Sequence, residues 1–162
     1  MHKLGVMVPY RDRKSQLETF VPSITKYLNR QKINFELFVI EQNNEDPFNR
    51  GACLNRGFLL AENAGCDYVA FHDIDMLPLE GTDYSYPEEG PIQLANQFYT
   101  SYNWSRSKDQ TRIIPDDYFG GVTLFTVDDF KKVGGYSNQY AGWGYEDNDL
   151  LLRCIRAKLP LD

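Results

Sequence analysis

The sequence has little of what staples or anchors a small fold. Its 162 residues include three cysteines, Cys53, Cys66 and Cys154, far apart and without a C-x-x-C pair. That count and spacing indicate neither a disulfide framework nor a cysteine zinc site, and buried free thiols in a reducing compartment are the expectation. Long apolar runs are absent too. The N-terminal run Leu4 to Val8 stops at Pro9, whereas a membrane helix needs about 20 apolar residues, and it is too short for a secretory leader. Basic residues are the minority, 17 against 23 acidic, for a formal net charge of −6. This excludes a non-specific binder of nucleic acid or anionic membrane, because phosphate attraction needs a basic surface.

What is present is ordinary globular material with an aromatic surplus. Hydrophobic residues make 42% and charged residues 25%, which excludes a disordered chain. A chain of this length fits one domain that buries roughly 70% of its unfolded surface. Aromatics reach 14%; they stack on bases and sugars but also fill cores.

Strand-like runs alternate with helical patterns, which predicts an α/β fold with a mostly parallel central sheet. Leu4 to Val8 reads as a central strand, with a loop from Pro9 to Arg13. A 3.6-residue stripe through Leu17, Phe20, Val21, Ile24, Tyr27 and Leu28 predicts a helix over Gln16 to Arg30, kinked or split at Pro22. Phe35 to Ile40 is a second strand. Asn49 to Ala64 is a helix with Ala52, Cys53, Phe58 and Leu59 inward, and Tyr68 to Phe71 is a third strand. Leu79 to Asp117 shows weak periodicity and is too long for a bare connector, so a partly structured functional insert is expected. Val122 to Thr126 is a strand, Asp128 to Val133 a short helix, and Glu146 to Lys158 a helix with Leu150, Leu151, Cys154 and Ile155 inward.

Three clusters could carry chemistry. His72-Asp73-Ile74-Asp75 ends the third strand, where ligands of open α/β sheets gather. Two carboxylates two residues apart on extended backbone point the same way and call for a cation, Mn²⁺ or Mg²⁺, which would neutralise a diphosphate; a solvated acidic loop is the alternative. His72 should point opposite Asp73, into packing. In Gly142-Trp143-Gly144-Tyr145-Glu146-Asp147-Asn148-Asp149 the flanking glycines leave an indole face open, and the acidic run opens a helix, where simple dipole complementarity would also place it. Arg11 and Arg13 follow the first strand, and Phe48-Asn49-Arg50 opens the second helix; these can grip phosphate or a uracil carbonyl, with Phe48 stacking.

In this order, the segments VPYRDR (Val8 to Arg13), FNRGACLNRGF (Phe48 to Phe58), FHDIDMLP (Phe71 to Pro78), YFGGV (Tyr118 to Val122) and GWGYEDND (Gly142 to Asp149) resemble the β-1,4-galactosyltransferase family, including its xylosylprotein branch. The resemblance implies a GT-A fold in a single domain over 1–162, with a nucleotide-binding half (1–78) and a donor and acceptor half (79–162). It implies inverting, metal-dependent transfer of galactose from UDP-galactose to a sugar hydroxyl of a glycan or monosaccharide acceptor. Carried over by motif, Arg11, Arg13, Phe48 and Arg50 belong to the nucleotide pocket. Asp73 faces the ribose and donor, and Asp75 ligates Mn²⁺ or Mg²⁺. Tyr118 and Gly121 shape the donor site, Trp143 packs on the sugars, Glu146 holds them, and Asp147 is the general base.

The family also completes its metal site with a His-containing segment beyond the GWG-x-ED helix. This sequence stops at Pro160-Leu161-Asp162, and its two histidines, His2 and His72, lie elsewhere, so a GT-A core short at its C-terminus is expected. The rival readings are a transferase of another UDP-sugar such as UDP-N-acetylgalactosamine, a non-catalytic UDP-sugar or glycan-binding domain, and a plain α/β domain. A bacterial or viral chain would be cytoplasmic, and an excised eukaryotic domain would reside in the Golgi lumen.

Overall fold

Strand β1 (Lys3–Tyr10) is buried from Leu4 to Pro9, as a strand covered on both faces must be. Its side chains alternate between two cores. Leu4, Val6 and Val8 face one cluster with Phe20, Ile24 and Leu28 of helix α1 (Lys14–Arg30), while Met7 faces the other with Leu54, Phe58 and Ala61 of helix α2 (Arg50–Asn63). In a computed structural model, the described residues are 1–95 and 118–161, together with the backbone of 97–99 and 111–113.

The five-stranded sheet has the order β2-β1-β3-β7-β4, with β2 at Asn34–Glu41, β3 at Tyr68–His72, β4 at Ile92–Gln93 and β7 at Val122–Thr126. Strand β1 pairs in parallel with β2 and β3, whereas β7 is antiparallel to both β3 and β4. Four strands therefore point one way and β7 opposes them, within the expected mostly parallel α/β sheet. Strands β5 (Gln97–Tyr99) and β6 (Thr111–Ile113) form a separate two-stranded ladder; of the expected insert, residues 79–95 are described and carry β4, and 96, 100–110 and 114–117 lie outside the described residues. Helices α3 (Val127–Val133) and α4 (Glu146–Arg156) cover the α2 side of the sheet. Among the described residues no helix is long and apolar enough to cross a membrane.

Several expectations are corrected. Helix α1 is one continuous element through Pro22 and is not split there. Proline inside a helix costs about 3 kcal/mol, and the buried stripe of Phe20, Ile24, Tyr27 and Leu28 offsets it. Strand β1 continues through Pro9 to Tyr10. The Tyr10 carbonyl accepts from Gln42 on the β2 side, so Pro9 turns its missing N–H to the other side, where pairing with β3 has ended at Met7. Leu59 and Ile155, expected inward, are 50% and 55% exposed. Leu54, Gly57 and Ala61 supply the inner face of α2 instead.

Helix α2 lies close on the sheet because glycine sits at the contact. A Cβ at Gly57 would stand 2.6 Å from Met7 Cγ and 3.1 Å from Ile40 Cγ1. Gly57→Ala should therefore destabilise the fold by about 1–2 kcal/mol, since overpacking outweighs alanine's better helix propensity. Urea unfolding checks this, and an unchanged or raised midpoint would refute the close contact.

Candidate active site

The strand order places a switch point at the carboxyl ends of β1 and β3, with α1 on one face and α2 on the other, which is where open α/β sheets bind ligands. A cleft of about 700 Å³ opens there. It is lined by Arg11 and Arg13 after β1, Phe48 and Arg50 at the start of α2, and Asp73 and Asp75 after β3. Tyr118, Trp143, Glu146 and Asp147 complete it from the second half of the chain. Gly121 lies behind this wall rather than in it.

Arg50 ties these segments together. Asn49 caps α2, its side chain accepting from the Ala52 N–H at 2.9 Å, and so presents Arg50 as the first helical residue. The largely buried guanidinium donates from Nε to Asp73 at 2.6 Å and from Nη1 to Asp147 at 2.8 Å, with Glu146 at 3.6 Å. It also lies over the Tyr136 ring, 5.9 Å from its centroid. The nucleotide-gripping arginine expected from sequence is thus directed at carboxylates.

The carboxylates of the D-x-D element are separated by a turn. The Met76 N–H donates to the Asp73 carbonyl, so the pair does not lie on extended backbone as expected. Asp73 goes to Arg50, while exposed Asp75 meets, among the described residues, Arg13 at 3.9 Å. Arg11 donates to the Asn44 and Asp46 carbonyls and stacks on Phe48 at 5.3 Å. His72 turns to the opposite face from Asp73, as expected, and is fully buried; burial pushes its pKa down to about 4.

At the start of α4, Asp147 is unusual. Burial first, and then the neighbouring Glu146 and Asp73, push its pKa up to about 7 against the opposing pull of Arg50. Gly142 and Gly144 adopt positive φ, and so does Tyr145 (φ 74°), a conformation costly for a bulky residue. This backbone leaves Trp143 99% exposed at the cleft mouth. The Gly142 N–H donates to the Phe48 carbonyl, which fastens this loop to α2. Burial, followed by Asp73 and Asp147, pushes the Tyr118 hydroxyl up to about 12.

Sequence reasoning missed Gly120. A Cβ there would collide with the Asp147 carboxylate and stand 2.9 Å from the Tyr118 hydroxyl, so glycine leaves the room that both side chains occupy. The Gly120-Gly121 pair was the available signal. Gly121 has φ +72°, and its carbonyl accepts from the Asp73 N–H.

Among the described residues no three His, Cys, Asp or Glu side chains are placed to hold a metal ion together. Asp75 is nevertheless an open carboxylate near Arg13, in a cleft that Arg11 also lines. That suits a Mg²⁺ or Mn²⁺ ion shared with substrate phosphates, which takes one or two protein carboxylates.

Known proteins share this sequence pattern and fold. Residues 1–86 match the N-terminal region of glycosyl transferase group 7, and residues 105–162 match the N-terminal domain of galactosyltransferase. The xylosylprotein 4-β-galactosyltransferase of Caenorhabditis elegans is 36% identical over 99% of this chain and 53% of its own length. Human β-1,4-galactosyltransferase 7 is 37% identical over 99% of this chain and 46% of its own. The chain thus spans about half the length of the curated relatives it matches. A crystal structure of a Drosophila β-1,4-galactosyltransferase 7 mutant with manganese, UDP-Gal and xylobiose superposes with a TM-score of 0.86, at 36% identity, over 99% of this chain and 64% of that one. The fold is GT-A, and the chain belongs to glycosyl transferase group 7, the family of the β-1,4-galactosyltransferases.

Proposed function

We propose that this chain carries the donor site and the general base of an inverting, metal-dependent transfer of galactose from UDP-galactose to a sugar hydroxyl of a glycan acceptor. The observation that carries the reading is the Asp147 carboxyl, held by Arg50 in the cleft with its pKa pushed up to about 7, where a general base works best. Residues 1–78 supply the nucleotide side, with Arg11, Arg13 and Phe48 meeting the uridine diphosphate. Residues 79–162 supply Tyr118, Trp143, Glu146 and Asp147 around the sugars.

Ionised Asp147 takes the proton of the acceptor hydroxyl as that oxygen attacks the anomeric carbon from the face opposite UDP. Glu146 accepts hydrogen bonds from sugar hydroxyls, and the open Trp143 indole stacks on sugar. Asp75, together with the donor's diphosphate, would hold a divalent cation, which offsets charge on the departing UDP. Cys53, Cys66 and Cys154 are free and buried, and burial pushes each thiol's pKa up. This suits a reducing compartment such as the cytoplasm, with the Golgi lumen as the setting for a eukaryotic chain.

The reading is tested by incubating the full chain with UDP-galactose and a panel of monosaccharide acceptors, with and without Mn²⁺. Galactoside formation supports it, and UDP binding without transfer would leave only a binding domain. Asp147→Asn should keep the fold and lower kcat by about 10²–10⁴-fold.

Because Asp147 must be ionised, wild-type kcat/KM should rise with pH up to about 7 and then level off; the variant should show no such limb. Stability should move the other way. The folded carboxyl stays protonated up to about pH 7, whereas its unfolded counterpart ionises near 3.8. Its stabilising contribution is therefore complete below pH 3.8 and lost as pH rises through 7. Asp147→Asn should accordingly gain on wild type in thermal stability between pH 4 and pH 8. A constant difference across that range would overturn the raised pKa.

Asp75→Asn should remove most of the Mn²⁺-dependent enhancement of UDP binding in titration calorimetry, while metal-free binding stays unchanged.

A further inference from the structure

His72 is a buried polar side chain that the reaction outlined above does not use. It ends β3 on the face opposite the cleft, with the Phe20 ring edge-on at 4.9 Å and the Tyr84 ring parallel at 6.0 Å. Its Nδ1 lies 2.9 Å from the main-chain carbonyl of Asp73, and its Nε2 lies 2.8 Å from the Tyr84 hydroxyl. A carbonyl can only accept, so Nδ1 carries the proton; in the neutral ring Nε2 then accepts from Tyr84.

Both ends of this chain of bonds are fixed. Tyr84 is buried, and its carbonyl accepts from the Tyr68 hydroxyl at 2.8 Å. The segment before it is clamped to α1, with the Tyr27 hydroxyl 2.8 Å from the Leu79 carbonyl and 2.9 Å from that of Thr82, and with Gln31 Nε2 2.6 Å from Thr82. At the other end, the Asp73 carbonyl accepts from both His72 and the Met76 N–H, and the Asp73 N–H donates to Gly121. Both lone pairs of that carbonyl are occupied, and the backbone of the turn bearing Asp75 has no unpaired polar group at its first residue.

We propose that His72 and Tyr84 are positioning residues for the Asp73–Asp75 turn: the imidazole relays the anchored Tyr84 hydroxyl to the Asp73 carbonyl and so sets where both carboxylates stand. The inference rests on the reading that this turn meets a nucleoside diphosphate and a divalent cation. It adds that the site's geometry is held from the opposite face of the sheet, through the backbone and without contact with ligand.

The test uses the full chain with Tyr84→Phe, which removes one oxygen, His72→Leu, which removes both bonds, and His72→Asn, which keeps a donor near the Nδ1 position. UDP affinity in Mn²⁺ is measured by calorimetry, and hydrogen exchange of the Asp73 and Met76 amides reads the turn without ligand. Tyr84→Phe and His72→Leu should each weaken Mn²⁺-dependent UDP binding about tenfold and speed exchange of both amides by a similar factor. His72→Asn should recover most of both. Folded Tyr84→Phe with wild-type affinity and wild-type exchange would overturn the proposal, as would a His72→Asn variant as impaired as His72→Leu. If His72→Leu does not fold, Tyr84→Phe decides. Should wild type fail to bind UDP while exchange still rises in Tyr84→Phe, the positioning stands and the transferase reading falls.

Discussion

A single guanidinium shared by three carboxylates holds the site together. Arg50 meets Asp73, Glu146 and Asp147, and these come from the end of β3 and the start of α4. Burying a charge is unfavourable unless it is paired and hydrogen-bonded, so these segments cannot separate without leaving a buried arginine or its carboxylates unpaired. The charges are also unequal. One cation faces three acids, and the excess is what drives Asp147 toward protonation after burial has weakened its ionised form. The contact that assembles the cleft therefore also tunes the carboxyl proposed as its base.

Close approach makes that contact possible. Gly120 admits the Asp147 carboxylate. At Gly51 a Cβ would stand 2.9 Å from the Ser137 carbonyl, so the first turn of α2 can lie against the loop that leads toward α4. Asn55 fastens the same loop, donating to the Tyr136 carbonyl and accepting from the Tyr136 N–H. Tyr136 in turn packs its ring against Phe71 and Phe130 beneath Arg50. The aromatic residues, for which composition left stacking on ligands and core filling both open, are thus divided: Phe71, Phe125, Phe130 and Tyr136 build the floor, and Trp143 and Phe48 line the cleft.

Much of this was legible beforehand because it is local. Strand β1 announces itself by an apolar run, α4 by its stripe and acidic first turn, and the D-x-D, FNR and GWG segments by residue types at fixed offsets. What escaped was non-local. The reversed direction of β7 depends on which strand it meets, and nothing in Val122 to Thr126 encodes that partner. Leu59 and Ile155 fit a helical stripe, yet which flank of a stripe is covered depends on neighbouring elements. Arg50 was legible as a site residue, but its donors were assigned to a ligand because the carboxylates it meets lie 23 and 97 positions away.

The same geometry separates the two D-x-D carboxylates by task. Asp73 is paired inside the fold with Arg50, which offsets part of its repulsion toward a diphosphate. Asp75, on the far side of the turn, is left open with only a loose arginine contact. On the proposed function an acidic chain of net charge −6 receives an anionic donor here, and with Arg50 engaged the basic groups left facing the cleft among the described residues are Arg11 and Arg13. Arg11 already spends donors on two backbone carbonyls and its face on Phe48, which orients it at the cost of freedom. Arg13 alone is lightly held. Two arginines of unequal freedom are little positive charge for a diphosphate. On the proposed function, exposed Asp75 is the place where added positive charge would enter, so that binding of the diphosphate would depend on a cation the protein only half surrounds.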